Sequence, residues 1–382
     1  MPRFRIQETD FEAPLTVGDG GELVIKSSPR PYRVEFLSHL PLAASIEKTI
    51  AAATHPVVLA DRRVVDLYLK NLPSLTKAPM LAAEATEDFK TIDGVMQLVE
   101  LLEKSGVTRS STLFVIGGGI IQDVGAFAGS MYKRGVPWLY VPTTLLSQGD
   151  SCIGGKTGLN HRHTKNLLAL FSAPRKVLIH TGFLATLPNE EILSGLGETF
   201  RLCITGGPEF VGYLEARIEK AIAADAMALQ ELIAATLSVK RAVVEYDEFE
   251  LDIRRSMNLG HSVGHAFEAI TDHSIPHGVG VTIGVLVENE ISHARGLLSD
   301  AERRRMLRLS KPLVPAKARA VLERIDLDGI LDVLRRDKKT EGTVLKLVVV
   351  EKIGQIRFID LPLQQDTVSV VRHALSRVLE AL

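Results

Sequence analysis

The sequence has little cysteine, almost no net charge and no long apolar run. Its two cysteines, Cys152 and Cys203, stand far apart with no CxxC pair, which argues against a thiolate metal site and fits a reducing compartment. Forty-five basic and forty-six acidic side chains leave a formal charge of -1, so no global field draws in nucleic acid or an anionic membrane. No run reaches the ~18 apolar residues of a spanning helix, and the opening "MPRFRIQETDFEAP" lacks the apolar segment of a secretory leader. There is no internal repeat and no low-complexity tract. These absences predict a soluble, cytoplasmic protein with neither nucleic acid nor membrane as partner. What is present is 46% hydrophobic content over 382 residues, enough for a substantial core and a length that suits two domains better than one.

The first ~50 residues mix charge, Pro and Gly and predict an extended arm or hairpin packed on the adjoining domain. Short β-branched runs then alternate with helical patterns: "HPVVLADRRVVDLYLKNL", "TIDGVMQLVELLEKSG", "STLFVIGGGIIQDVGAFAGSMYKRG" and "PWLYVPTTLL". Strand, helix, strand, glycines, helix is the order of a parallel α/β layer. After Pro188 apolar residues recur at three-to-four spacing, as in "EEILSGLGETFRLCI" and "EFVGYLEARIEKAIAADAMALQELIAATLSVKRAVVEYD", which predicts a largely helical half. We place the boundary near residue 185, giving an arm plus α/β domain over 1–185 and a helical domain over 186–382. The "RRR" at 303–305 lies in a helical pattern and reads as a solvated face.

In "LFVIGGGIIQDVGAF" three glycines, Gly117, Gly118 and Gly119, join a buried strand to a helix start. Backbone N–H groups and the helix dipole can receive a pyrophosphate there, and missing β-carbons let it approach. The bland reading is a tight strand-to-helix turn, and the GxGxxG pattern fails because Gln122 takes its third position. "DSCIGGKTG" invites a P-loop reading, but Asp150 stands where GxxxxGK[ST] needs Gly. Lys156 and its neighbouring glycines remain candidates for a phosphate on a substrate.

Four of the chain's eleven histidines fall in "NLGHSVGHAFEAITDHSIPHG", residues 258–278. His261 and His265, four apart in a helical stretch, share one face, and His277 follows where Pro and Gly turn the chain. Two helical histidines are commonly structural. A catalytic zinc takes about three protein ligands of His and carboxylate type, so a carboxylate must come from elsewhere. Glu198, in a small-residue apolar stretch where an unpaired carboxylate is costly, is one candidate. Spacing alone does not choose it over Glu250 or Asp150.

The run "GGGIIQDVGAFAGSMYKRG", "VPTTLLSQGDSCIGGKTGLN", "KNLLALF", "LATLP", "GLGETFR" and "MNLGHSVGHAFE", in this order, resembles dehydroquinate synthase and its relatives, the sugar phosphate cyclases. The likeness spans roughly residues 55–360 and implies a fold class: a Rossmann-like NAD-binding α/β domain, then an all-α metal-binding domain, with the active site in the cleft. It also implies a homodimer. Residue by residue it implies zinc, or cobalt, on Glu198, His261 and His277, leaving His265 to meet substrate. Asp150, Lys156, Asn166, Lys240, Glu250, Arg254, Asn258 and a lysine of "DKK", Lys338 or Lys339, also fall on family positions. Arg134 matches an arginine lent to the neighbouring subunit. For NAD the resemblance points to Asp61, Glu87, Lys90, Gly117, Gly118, Gly119, Asp123, Thr143 and Thr144.

There are departures. Arg201 stands where the family commonly has lysine, a planar fork in place of a compact ammonium. "HGEAV" becomes "HGVGV", and the N-terminal arm is longer than usual. The implied reaction converts a seven-carbon sugar phosphate by transient oxidation, phosphate loss, re-reduction and aldol closure. Lys240 and Arg254 suit a substrate carboxylate, which favours 3-deoxy-arabino-heptulosonate 7-phosphate, and hence dehydroquinate synthesis in the shikimate pathway, over sedoheptulose 7-phosphate. Further alternatives are a metal-dependent NAD polyol dehydrogenase and a non-catalytic protein that kept the fold.

Overall fold

Uninterrupted apolar runs make the centre of the first sheet. "PVVLAD" and "TLFVIG" form the strands Pro56–Asp61 and Thr112–Gly117, whose middle residues are buried, the pattern of a parallel sheet covered on both faces. The structure is a computed structural model that describes residues 1–17, 21–162, 164–272, 274–325, 327–336, 340–341, 344–362 and 365–382. It divides into two compact units, Val17–Leu187, and Met1–Thr16 together with Pro188–Leu382.

In the first unit seven strands lie in the order Glu22–Ile25, Tyr32–Phe36, Lys176–Ile179, Trp138–Pro142, Thr112–Gly117, Pro56–Asp61, Met80–Ala83. Every pairing is parallel except the first, an edge hairpin formed by the second half of the charged opening segment. The helix Gly119–Met131 follows the glycine turn and packs close to its own strand. A Cβ on Gly125 would stand 2.5 Å from Val115 Cγ2, so Gly125 does the helix-to-strand packing that GxGxxG assigns to its third glycine. An antiparallel hairpin, Lys156–His161 with Thr164–Phe171, carries the "GGKTGLN" and "KN" residues.

The second unit is built on helices, chiefly Asn189–Gly206, Ala226–Tyr246, His261–Ile270, His277–Ala294, Asp300–Ser310 and Gln365–Ala381. The expectation of an all-α unit needs amending, because it also holds a five-stranded sheet: Thr340–Glu341, Val344–Lys352, Gln355–Pro362, Arg3–Ile6, Thr9–Glu12. "VLKLVVVEKIGQIRFIDLP" is a β-hairpin signal, alternating and β-branched with Gly354 at φ 84° in its turn. The chain's start then pairs with it in parallel, Arg5 opposite Gln355 and Ile6 opposite Ile356. Residues 1–16 therefore cluster with the C-terminal unit, whereas the sequence pattern assigns the whole of 1–185 to the α/β domain. A strand partner lying some hundreds of residues away leaves no local signal.

Three helices of this unit meet backbone to backbone. A Cβ on Gly197 would lie 2.0 Å from the Gly278 carbonyl oxygen, one on Gly278 1.8 Å from that of Ser194, and one on Gly284 1.9 Å from that of Gly260. These approaches draw Asn189–Gly206, His261–Ile270 and His277–Ala294 together. Among the described residues no helix is long and apolar enough to cross a membrane.

Candidate active site

Glu198 lies in the middle of its helix and is 2% exposed. Arg201, one turn on and 1% exposed, donates from Nε to Glu198 Oε2 at 2.6 Å, and its Nη2 meets the same oxygen. The other oxygen, Oε1, is buried without a hydrogen bond of its own. It faces His277 Nε2 at 3.2 Å and His261 Nε2 at 3.6 Å. Burial works against the Glu198 charge, but Arg201 and then His277 outweigh it and hold the carboxyl well below its usual range. His277 is also desolvated, yet Glu198 and Glu268 beside it raise it to about 10.

Both imidazoles are oriented from behind. His261 Nδ1 meets the Leu259 carbonyl at 3.2 Å, and His277 Nδ1 meets Glu268 Oε1 at 2.7 Å. Each ring thus turns its Nε2 toward Glu198. Ligand atoms of His261, His265 and His277 all lie within 4.8 Å of one another, and His265 is the exposed member. Its ring centre is 5.3 Å from that of His261 and 5.7 Å from that of His277, so the structure groups it with the other two. The set fits a zinc-like ion: ligand atoms ~2.1 Å from a tetrahedral centre stand ~3.4 Å apart, close to the 3.2 and 3.6 Å seen around Glu198 Oε1. Two imidazole nitrogens and a carboxylate are donors that zinc accepts, and cobalt takes the same donors.

The neighbouring loop carries the anion candidates. Asp247, at the C-terminus of Ala226–Tyr246, accepts from the N–H groups of Leu251, Asp252 and Arg254 at 2.8–2.9 Å. This fixes the turn in which Glu250 sits at φ 57°. Asn258 Nδ2 donates to Glu250 Oε1 at 3.0 Å, and Arg254, 1% exposed, has its guanidinium against the Glu248 carbonyl. Lys240 is also buried, on the helix against which the Ile253–Asn258 segment packs. Neither Glu268, the last residue of "MNLGHSVGHAFE", nor Asp247 receives a role from the sequence. Glu268 was accessible in principle, since it stands seven residues after His261 and three after His265 on one helix face. Asp247 gives no such signal.

In the α/β unit the glycine turn is open on one side. A Cβ on Gly118 would meet Thr144 Cγ2 at 3.0 Å, one on Gly117 would meet Ile121, and one on Gly119 would meet nothing within 4 Å. Thr143 donates its N–H to the Gly117 carbonyl at 3.1 Å, and Thr144 Oγ1 bonds Ser147 Oγ at 2.8 Å. Lys90 Nζ pairs with Asp123 at 2.6 Å. Burial pushes Asp123 above its ordinary value against the pull of Lys90. Asn160 ties the candidates together: its side chain donates to Glu87 Oε2 at 2.6 Å and accepts from the Asn166 N–H at 3.1 Å, and its own N–H bonds the Lys90 carbonyl at 2.8 Å. Asp61 accepts from the Arg63 N–H at 2.9 Å and so caps the next turn. Asp150 is half-buried in the turn Ser147–Ser151, while Arg134, Lys156 and Asn166 are exposed. Lys338 and Lys339 lie outside the described residues.

A glycine-turned parallel α/β unit in one chain with a helical unit is a fold shared with solved sugar phosphate cyclases. A crystal structure of 2-deoxy-scyllo-inosose synthase complexed with carbaglucose-6-phosphate, NAD+ and Co2+ superposes with a TM-score of 0.82 at 22% identity, over 92% of this chain and 99% of that one. ValA, the 2-epi-5-epi-valiolone synthase of Streptomyces hygroscopicus subsp. jinggangensis 5008 with NAD+ and Zn2+ bound, gives 0.78 at 24%, over 91% and 97%. Residues 80–194 match the 3-dehydroquinate synthase N-terminal family and residues 195–340 the 3-dehydroquinate synthase C-terminal family. The 3-dehydroquinate synthase of Azotobacter vinelandii is 36% identical over 312 residues, 80% of this chain and 83% of that protein. The chain belongs to the 3-dehydroquinate synthase family.

Proposed function

We propose that this chain is a 3-dehydroquinate synthase, converting 3-deoxy-arabino-heptulosonate 7-phosphate to 3-dehydroquinate and phosphate. The observation that carries the reading is the buried Glu198 Oε1 facing the Nε2 atoms of His261 and His277. Those three residues hold the metal, with His265 left toward the substrate. When bound, zinc supplies Lewis acidity to a substrate oxygen, and NAD takes up and returns a hydride.

The chain's own residues do the rest. The N–H groups at the open side of Gly119 receive the NAD pyrophosphate at the start of a helix. Asp61, Glu87, Lys90, Asp123, Thr143 and Thr144 shape the remainder of that site. Lys240 and Arg254 clamp the substrate carboxylate; both are buried, and charge-assisted bonds are strong where water is excluded. Glu250 orients Asn258; Asn258 and His265 are the phosphate-binding candidates of the helical unit, and Lys156 and Asn166 those of the α/β unit. Asp150 is a further candidate of the α/β unit, and Arg134 reaches a neighbouring copy in a homodimer. The chain works in the cytoplasm, in the shikimate pathway.

The test is phosphate release, with zinc and catalytic NAD, from 3-deoxy-arabino-heptulosonate 7-phosphate against sedoheptulose 7-phosphate, which has no carboxylate. Release from the first alone is expected, and Arg254→Ala should raise its KM by roughly thirty- to thousand-fold, the ~2–4 kcal/mol of a lost charged contact. Release from the second alone would overturn the substrate assignment.

A further inference from the structure

Glu268 ends the run "MNLGHSVGHAFE" with no role assigned to it from the sequence, yet it stands behind His277. Its Oε1 lies 2.7 Å from His277 Nδ1, and its side chain is 12% exposed. A Cβ built on Gly280 would stand 3.8 Å from the same oxygen, so the carboxylate rests against the first turn of His277–Ala294. A helix start favours a negative charge there. A carboxylate can only accept, so Nδ1 carries the hydrogen of this contact, and when a metal ion displaces the Nε2 proton the lone pair of the neutral ring is turned to the site. Nε2 is the nitrogen that faces Glu198.

We infer that Glu268 is a positioning residue for metal binding: by accepting from His277 Nδ1 it fixes the tautomer and direction of His277 and strengthens Nε2 as a donor. The inference rests on the reading of Glu198, His261 and His277 as ligands. Arg201 does the corresponding work for Glu198 and the Leu259 carbonyl for His261, so each of the three proposed ligands is held from behind. Of these supports only Glu268 adds a negative charge behind an imidazole, which raises its affinity for a cation.

The experiment uses the full chain, stripped of metal and titrated with Co2+ against a chromophoric chelator. Glu268→Ala should weaken Co2+ binding about 10- to 100-fold, the usual effect of losing an outer partner of a metal-bound imidazole, and shift the visible Co2+ absorption as the His277 ring loses its fixed direction. Glu268→Gln keeps an acceptor oxygen without the charge and should fall between the two, at about threefold or more below the parent, since charge-assisted bonds are roughly twice as strong as neutral ones. A merely structural role would lower the melting temperature without moving the Co2+ spectrum. The inference is overturned if Glu268→Ala binds Co2+ within about twofold of the parent with an unchanged spectrum. Should that variant not fold, a Glu268→Gln affinity equal to the parent's overturns it instead. His261→Ala is the control for the ligand reading: it should lose Co2+ altogether, and full retention would sink the ligand set together with the inference.

Discussion

Arg201 commits one oxygen of Glu198 and leaves the other to the imidazoles. The pair is almost wholly buried, and removing one partner of such a pair costs about 3–5 kcal/mol because the remaining charge is stranded. Arg201→Ala should therefore unfold at markedly lower urea than the parent when metal-free. Zinc should restore part of the loss, since the ion replaces the missing positive charge and binding to the folded state stabilises it. Arg201→Lys should fall between. Urea unfolding with and without zinc checks this, and an unchanged midpoint for metal-free Arg201→Ala would show that the ion pair adds nothing to stability. At this scale the sequence was informative where residues form an ordered series of motifs. Glu198, His261 and His277 came together as a proposed set only through the resemblance that the ordered motifs carry, while spacing alone left Glu250 and Asp150 open beside Glu198. The orienting roles of Glu268, Asp247 and Asn160 were not assigned, because a residue that acts by orienting another is defined by a three-dimensional contact, even where, as for Glu268, its spacing places it on the right helix face.

Among elements, the close approach of three helices is what turns separate side chains into one cluster. Gly197, Gly278 and Gly284 each face a backbone carbonyl of a neighbouring helix, with no room for a methyl group. Gly197→Ala should force the helices Asn189–Gly206 and His277–Ala294 apart, cost ~1–3 kcal/mol as overpacking does, and weaken metal binding because Glu198 retreats from His277. Chelator titration alongside thermal unfolding separates the two effects. A folded variant with parental metal affinity would show that the cluster tolerates a wider spacing. The helices themselves were legible from their apolar period, and so were the parallel strands from their unbroken Val and Ile runs. The register between helices was not, because it is set by what glycine lacks. Gly125 shows this as well: a failed GxGxxG match at Gln122 hid a glycine three residues later that does the packing.

For the whole molecule, the division into an α/β part and a helical part was legible, while the five-stranded sheet and the allegiance of residues 1–16 were not. Arg3–Ile6 is paired with Gln355–Pro362 on one side and Thr9–Glu12 on the other. Phe4, Ile6 and Phe11 are buried there, and burying a large apolar side chain is worth about 1.5–3 kcal/mol. Removing residues 1–12 should destabilise the helical unit by several kcal/mol and leave the α/β unit intact. Hydrogen exchange resolved along the chain would report it as lost protection in 344–362 with none lost in 112–117, and equal protection everywhere would contradict the pairing's importance.

The same strand bears on how the chain is made. Synthesis delivers Arg3–Ile6 long before the edge to which it bonds, which is not complete until Gln355–Pro362 has left the ribosome. The unit Val17–Leu187 has all its strands long before that and can fold while its flanks wait. Through that interval the strand at 3–6 has an unpaired edge and an apolar face, the combination that invites pairing with a second nascent chain. Arg3 and Arg5, alternating with the buried Phe4 and Ile6, put charged groups on its other face, the kind of residue that opposes such pairing.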